Sequence, residues 1–560
     1  NVCRLLSMRV MLLKVRYMTD EPCTAIPMKK PLVKQAMKYW KIPTTLPRTF
    51  MKEKNNPCMN NMKRIYITCL FLYVASTVSA QSYDLVERRN PWNAGANVTG
   101  IMVDSTTVSY AELYGRNNHG DFHNYYEADK LWNAGAIAKS ITHLKSYSLT
   151  GSFSFDHTSG RNMSGSMFIH PGFYPVDILE FTPGRKDLQT YAFMGGIAKD
   201  IAPCWRIGGK IDFTSANYSK RKDLRHTNYR LDLKVAPSIM YHSDDYAIGF
   251  SYIFGKNSES VKAEEIGTAA TSYYAFLDKG LMYGAYETWE GSGIHLNESG
   301  MNGFPIKELS HGAAAQFQWK AFYVDVEYSH SSGSAGEKES IWFKFPANRV
   351  TSHLSYRFSK GNAAHFLRLN LTWSRQFNDE NVLGRETSNG ITTTHVYGSN
   401  RIFERSVFSV QSEYEFIAPR RELRFGANVS SLKSLTTQMF PYSVSQTMTC
   451  GRIYLAGTFH TKLFDLKTSG IFSAGDYTEK SKTVKTESEP GEPPYRLTEY
   501  YNLQNEYATA PRLTFEVGLR YKFYRGIYAE IQAEYTHGFN LKYIAGANRW
   551  NETIKLGYIF

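Results

Sequence analysis

The feature that most constrains this chain is an alternation of period two through residues 513–560. Leu513, Phe515, Val517, Leu519, Tyr521 and Phe523 alternate with Thr514, Glu516, Gly518, Arg520 and Lys522, so an extended backbone presents one apolar and one polar face. After a Tyr524-Arg525-Gly526 turn the pattern restarts with Ile527, Ala529, Ile531, Ala533 and Tyr535 against Tyr528, Glu530, Gln532, Glu534 and Thr536, which predicts a hairpin with matching faces. Ile554, Leu556, Tyr558 and Phe560 then alternate with Lys555, Gly557 and Ile559 up to the last residue.

The same alternation recurs upstream. Apolar rows run through Tyr147 to Phe155, Trp205 to Phe213, Tyr246 to Phe254, Phe322 to Tyr328, Val350 to Phe358, Leu367 to Trp373, Phe408 to Phe416, Leu423 to Val429 and Ile453 to Phe459. Short turn-like connections fall at Asp200–Pro203, His242–Asp245, Lys360–Ala363, Ile417–Arg421 and Phe464–Asp465, and long polar ones at 157–187, 256–310, 376–404 and 476–510. Lipid offers no partner to an unpaired backbone N–H, so a sheet in a bilayer must close on itself. The expected fold is all-β: a transmembrane antiparallel β-barrel of about 18 strands, within a range of 14 to 18, over residues 108–560. Its tight turns are placed in the periplasm and its long loops outside.

Formal charge is +14, but residues 1–80 hold 14 Lys and Arg against 3 Asp and Glu, leaving 51 basic and 48 acidic side chains. The balanced remainder excludes a nucleic-acid reading, and Lys220-Arg221-Lys222 is an isolated basic patch. Met62-Lys63-Arg64, the apolar stretch Ile65 to Val78 and Val78-Ser79-Ala80 read as a signal peptide over 62–80, cleaved before Gln81. Residues 1–61 are expected to lie upstream of the true start, as a disordered gene-model extension. Gln81 rather than Cys at the cleavage point predicts no lipid anchor. Cys204 and Cys450, far apart, suggest neither a disulfide framework nor a zinc site. Residues 81–107, with Arg88, Arg89 and Trp92, form either a periplasmic lead-in or a plug inside the lumen.

Terminal Phe560, with Tyr558 before it, resembles the C-terminal insertion signal of bacterial outer-membrane barrels, which implies recognition by the outer-membrane assembly machinery. Gly120-Asp121-Phe122-His123-Asn124-Tyr125 before Asp129-Lys130, the strand Gly151 to Phe155, the run Asn162-Met163 to Met167-Phe168 and the lead Asn90-Pro91-Trp92 resemble an uncharacterised outer-membrane β-barrel family of Bacteroidota over residues 81–560. The resemblance implies the barrel and the bacterial outer membrane, and it supplies no reaction and no functional residues.

The inward rows carry Asp325, Glu327, Arg368, Glu413, Glu415, Glu516, Arg520, Lys522, Glu530 and Glu534, the lumen-lining candidates. Both signs are present in comparable number, which predicts a hydrated lumen whose charges answer one another rather than an ion-selective filter. Asp121, His123, Glu127 and Asp129 are the densest His/carboxylate cluster but lack the spacing of a calcium loop. His330-Ser331-Ser332, His242 to Asp245 and Ser310-His311 put neighbouring side chains on opposite faces of a strand, a poor basis for an activated nucleophile. Neither catalytic residues, cofactor nor metal are expected. The leading expectation is passage of a small solute, or a barrel subunit of an envelope uptake complex with a lipoprotein or receptor partner. The alternatives are a structural barrel acting through its loops and, third, a hydrolase at the rim. An energised receptor of the ~22-stranded class is not expected, since residues 81–107 are too few for a separate plug domain.

Overall fold

In the computed structural model of the protein the residues described are 83–264, 275–280, 282, 287–289, 301–337, 340–388, 391–437, 443–482, 497–523 and 526–560. Residues 1–80 and the turn residues Tyr524 and Arg525 lie outside this set. In chain order, helix α1 (Tyr83–Arg89) and two 3-10 turns (Pro91–Ala94, Val98–Val103) precede β1 (Val108–His119), β2 (Lys130–His143), β3 (Tyr147–Ser166), β4 (Asp177–Ala202), β5 (Trp205–Lys220), β6 (Arg225–His242) and β7 (Tyr246–Glu264). Two short strands, β8 (Ala275–Asp278) and β9 (Glu287–Trp289), come next, then β10 (Met301–Trp319), β11 (Phe322–Glu337), β12 (Ser340–Lys360), β13 (Ala363–Ser388) and β14 (Ile391–Ala418). The chain ends with β15 (Arg421–Thr436), β16 (Ser443–His460), β17 (Phe464–Lys482), helix α2 (Leu497–Thr509), β18 (Arg512–Lys522), β19 (Ile527–Gly538) and β20 (Asn548–Ile559).

Each barrel strand pairs antiparallel with the next, β7 passes directly to β10, and β20 closes on β1 from Tyr110↔Ile559 to His119↔Trp550. The result is a closed 18-stranded barrel, with β8 and β9 outside the ring. Closure gives every described strand of the ring two neighbours.

The outward row of β4 shows why this surface faces lipid. Tyr191, Phe193, Ile197 and Ile201 are exposed, and the same row turns polar at Gln189 and Asp187. Ten residue steps at ~3.3 Å, tilted by ~40°, give an apolar band about 25 Å tall, the thickness such barrels present to a membrane. Phe515, Val517, Leu519, Tyr521 and Phe523 repeat it on β18, and Ile554, Leu556 and Tyr558 on β20. Nothing but lipid makes so continuous an exposed apolar girdle stable. The protein is an integral barrel of the bacterial outer membrane. No helix among the described residues is long and apolar enough to cross a membrane.

Strand extent departs from the sequence expectation. Residues 376–388 and 391–404 form a paired ribbon, with β13 and β14 paired from Asp379↔Arg401 to Ser388↔Ile391 across a register shift between Val382 and Leu383, and β3 and β4 take up much of 157–187. Beyond the bilayer both faces of a strand meet water or other protein, so alternation vanishes while backbone pairing continues. The turn expected at Phe464–Asp465 lies at 461–463, where Thr461 Oγ1 donates to the Phe464 carbonyl at 2.7 Å. Helix α2 was also unforeseen within 476–510; Leu497, Tyr501, Asn505 and Thr509 form its buried stripe at a spacing of four.

Candidate lumen site

Residues 83–103 pack against buried residues of the barrel strands. Leu85 packs on Phe366 and Ile417, Tyr83 and Val86 on Val108 and Ile141, Ala96 on Ala236, Ile253 and Ala314, and Val98 and Ile101 on Ala198. The segment therefore touches walls on opposite sides of the lumen. Two asparagines shape it locally. Asn90 and Asn97 cap the two 3-10 turns, accepting from Trp92 N at 3.2 Å and from Thr99 N at 3.0 Å. Trp92, 1% exposed, packs on Met240, Ala247 and Tyr323 and donates from Nε1 to Gln318 at 2.5 Å. The wall is relieved to receive it: a Cβ at Gly249 would lie 2.5 Å from Asn97 Nδ2 and 2.7 Å from the Trp92 ring. Strand glycines of this kind mark a close approach.

Arg88 ties the segment to β14 and β15, 2.7 Å from Glu422 and 3.4 Å from Glu415. Arg368 meets Glu413 at 2.8 Å and Glu415 at 2.6 Å, and donates to the Arg88 carbonyl at 3.1 Å. The network continues around the wall. His460 bridges Glu422 and Asp465 at 3.0 and 2.8 Å, Lys522 holds Asp465 at 2.5 Å, and Arg520 and Lys467 hold Glu530 at 2.6 and 2.9 Å. Lys555 lies 3.7 Å from Glu112, which also accepts from Tyr528 at 2.7 Å. A cavity of about 540 Å³ opens beside this network, lined among others by Glu413, Arg424, Arg452, Tyr454, Lys467 and Glu516. That volume suits a small-molecule site.

Described residues at the outer end pack together as well. The segment after β3 folds inward so that Met167, Phe168, Tyr174 and Val176 pack with Leu224, Val261, Phe304 and Phe343. Tyr125, Leu179, Phe181 and Phe276 pack with α2 through Leu497 and Tyr501, and the Phe181 and Tyr500 rings stack at 3.9 Å. Strand β8 pairs with the first residues of β4, setting Asp177 opposite Asp278. Asp177 accepts from Ser166 Oγ and Ile178 N, both at 2.7 Å, and Asp278 accepts from Gly280 N and Met282 N at 3.0 Å.

These two carboxyls lie beyond the apolar band, and burial pushes Asp278 up to about 6 and Asp177 up to about 8, the latter also raised by the charge of Asp278. A raised carboxyl binds its proton more tightly in the closed cap than in an opened one. Closure is therefore strongest below the ordinary carboxyl range and weakens as pH rises from it, the loss complete at about 6 for Asp278 and about 8 for Asp177. Hydrogen-exchange protection factors of residues 167–180 and 275–280 are expected to fall as pH rises from the ordinary carboxyl value of 3.8 to about 8 and to level off above that, by up to about tenfold per pH unit for each carboxyl titrating. Asp278→Asn should flatten the lower part of that decline; equal protection at both extremes in the unaltered protein would show that these carboxyls do not govern the cap.

The profile of the family of unknown function DUF6850 matches residues 99–560. The chain belongs to that family. No protein among the curated ones matches it. Solved structures similar to this DUF6850 barrel include the ferripyoverdine receptor of the outer membrane of Pseudomonas aeruginosa, at 8% identity and TM-score 0.38 over 82% of this chain and 72% of that one. A siderophore receptor of Acinetobacter baumannii aligns at 8% identity and TM-score 0.37, over 80% of this chain and 82% of that one. A loop-deletion form of OmpT, an outer membrane protein of Vibrio cholerae, aligns at 12% identity and TM-score 0.28, over 82% of this chain and 100% of that one.

Within the DUF6850 barrel the sequence-derived lumen residues separate into two groups. Arg368, Glu413, Glu415, Arg520, Lys522 and Glu530 belong to the ion-pair network, and Glu327 meets Lys234 at 3.4 Å. Asp325 accepts instead from neutral Gln316 at 3.1 Å, beside Gly95 of the N-terminal segment. Glu516 and Glu534 stand opposite each other in the β18–β19 register. Arg89 forms no ion pair among the described residues, and its buried Nε has no partner. Phe560 donates its backbone N–H to Ser109 at 2.9 Å, and its ring meets Tyr558 edge-on at 4.6 Å.

Sequence reasoning missed Glu112, Arg424, Glu422, Arg452, Tyr454, His460, Asp465 and Lys467. Strand parity could have found most of them, since Leu423, Phe425, Ile453 and Leu455 point outward and their neighbours must point in. Of the other clusters, Glu127 accepts from Asn124 N and lies 3.8 Å from Arg549, while Asp129 accepts from Asn162. His311 pairs with Tyr252 at 2.6 Å and His330 with Asn348 at 3.0 Å. No group of three or more metal-ligating side chains converges among the described residues.

Proposed function

We propose that this barrel passes a small polar solute across a Bacteroidota outer membrane, with residues 83–103 as a resident plug that must yield for passage. The observation that carries the reading is the placement of Trp92 and Arg88: one fills an apolar pocket between β6, β7 and β11, the other is ion-paired to β14 and β15. Barrels of 16 to 18 strands enclose an aqueous channel unless something fills it. Here a segment of 21 residues, Tyr83 to Val103, crosses that space, and a charged cavity remains beside it. So many contacts do not release spontaneously at a useful rate, which favours a periplasmic partner, such as an envelope lipoprotein or receptor complex, that engages the plug. The lumen carries polar and charged groups in the manner of a transit path, and the reading assigns the protein no catalysis.

Conductance in planar bilayers separates the alternatives. The intact protein is expected to be silent, and the protein lacking residues 83–103 to conduct steadily. Steady current through the intact protein would remove the plug. Silence in both would remove passage and leave a barrel that acts through its outer surface.

A further inference from the structure

Part of the cavity wall carries charge that the ion-pair network leaves unanswered, and we infer that it binds a small zwitterionic solute of short-peptide size, its carboxylate on Arg424 and Arg452 and its ammonium on Glu516. This deepens the passage reading and rests on it for the purpose of the site.

Two of the cavity's charged groups are already engaged. Glu413 accepts from Arg368 at 2.8 Å and from Tyr454 Oη, and Lys467 is held by Glu530 at 2.9 Å. Arg424 stands beside Glu415 in the β14–β15 register, yet Glu415 is turned toward Arg88 and Arg368. Neither Arg424 nor Arg452 has a carboxylate within 4.0 Å among the described residues. Among the described residues the hydrogen-bond donors to Glu516 are neutral, Ser469 Oγ at 3.3 Å and Gln532 Nε2 at 2.5 Å, and the residue opposite it on β19 is another carboxylate, Glu534. A charge with no counter-charge in ion-pair range retains an attraction, reduced by solvent screening, for a solute that brings one.

The register fixes how these groups are spaced. Arg424, Ala456, Ser469 and Glu516 form one row across β15, β16, β17 and β18. At about 4.8 Å per strand, the ends of that row are about 14 Å apart, with only small side chains between them. The result is a notch with a cation at one end and an anion at the other. Asn428 and Arg452 pair in a row four residues nearer the outer end, and Gln411 completes that row from β14. Tyr454 lies between the two arginines: the Arg452 guanidinium is 5.9 Å from its ring centroid, and Arg424 is within electrostatic reach of its hydroxyl. An extended tripeptide spans about 10 Å, a length the Arg424 and Glu516 side chains can close from either end. A carboxylate suits the arginines because a guanidinium presents paired donors in a fixed fork.

The test uses protein purified from outer membranes in detergent, with triglycine, triglycinamide and N-acetyl-triglycine as probes and calorimetric titration as the readout. Triglycine is expected to bind at least about tenfold more tightly than either blocked form, the equivalent of about 1.4 kcal/mol. Arg424→Ala and Arg452→Ala should each weaken triglycine and the acetylated probe together, whereas Glu516→Gln should erase only the advantage of the free amine. Heat-modifiable gel mobility confirms that each variant retains its barrel. Equal binding of the three probes, tightest binding of the acetylated one, or no triglycine binding at millimolar concentration would overturn the site. Uptake into proteoliposomes separates this from the passage reading. Triglycine uptake through plug-deleted protein that is indifferent to Arg424→Ala would overturn the site and keep passage; charge-selective binding without uptake supports the site and removes passage.

Discussion

Trp92→Ala is expected to weaken the docking of residues 83–103 by about 3–5 kcal/mol, the cost of truncating a fully buried large aromatic side chain. The magnitude follows from what Trp92 touches. Its ring meets Tyr323 at 5.2 Å, its flanks lie on Met240 and Ala247, and its Nε1 donates to Gln318. Alanine leaves a cavity against a strand wall that cannot collapse, because the sheet closes on itself, and it strands the Gln318 acceptor. At about 1.4 kcal/mol per tenfold, the ratio of docked to undocked plug falls by roughly two to three and a half orders of magnitude. Brief openings should appear in planar bilayers where the unaltered protein is silent, and hydrogen exchange should accelerate across Tyr83–Val103 while β18 to β20 stay protected. Val103→Ala is the control, because Val103 is 45% exposed at the end of the same segment. A Trp92→Ala protein as silent and as protected as the parent would mean that other contacts alone hold the segment.

The barrel was legible wherever a strand crosses lipid. On β18, Phe515 to Phe523 point outward and Glu516, Arg520 and Lys522 inward, because lipid on one side and water on the other enforce period two. Above the band that difference disappears, so the β13–β14 ribbon read as a loop although its backbone is paired to Ser388↔Ile391. The misplaced turn at Phe464–Asp465 has a related cause. Asp465 is an inward-facing strand residue held by His460 and Lys522, and a polar lumen face looks like a turn to any rule that equates polarity with loops.

The site was less legible, for two reasons. The N-terminal segment has no repeating period; its shape comes from the Asn90 and Asn97 caps and its position from contacts more than 100 residues away, such as Trp92 with Tyr323 and Arg88 with Glu422. Inward-facing charges can be assigned by parity, but which of them pair depends on register between strands distant in sequence. Arg424 and Arg452 differ from Arg368 and Arg520 only in what the neighbouring strand offers, and no local pattern records that.

The outer cap supplies the second large effect. Glu180→Gln is expected to destabilise the cap locally by about 3–5 kcal/mol, because one carboxylate answers two buried ammonium groups. Lys186 Nζ lies 3.1 Å from Glu180 Oε1 and Lys220 Nζ on Oε2, and the side chains of all three are fully buried. The lysines are also held by carbonyls, Lys186 by Ser164 and Ser166 and Lys220 by Thr182, which keeps them in place without cancelling their charge. Burial already pushes the Lys220 ammonium down to about 8 despite the attraction of Glu180. With glutamine at position 180 the compensation is gone, and the cap must either open to water or release protons. Both outcomes are measurable: exchange protection across 162–187 should drop while the β18–β20 band holds, and the loss should lessen as pH rises and the lysines discharge. Asp187→Asn is the comparison, since its partner Arg185 is exposed and a surface pair contributes about 0–1 kcal/mol. Equal effects of the two substitutions would show that the buried trio does not lock the cap. A large effect confined to Glu180→Gln would identify the trio as what holds the 167–176 segment in place; under the proposed passage, a solute entering from outside would meet this charge-held cap before the segment held by packing.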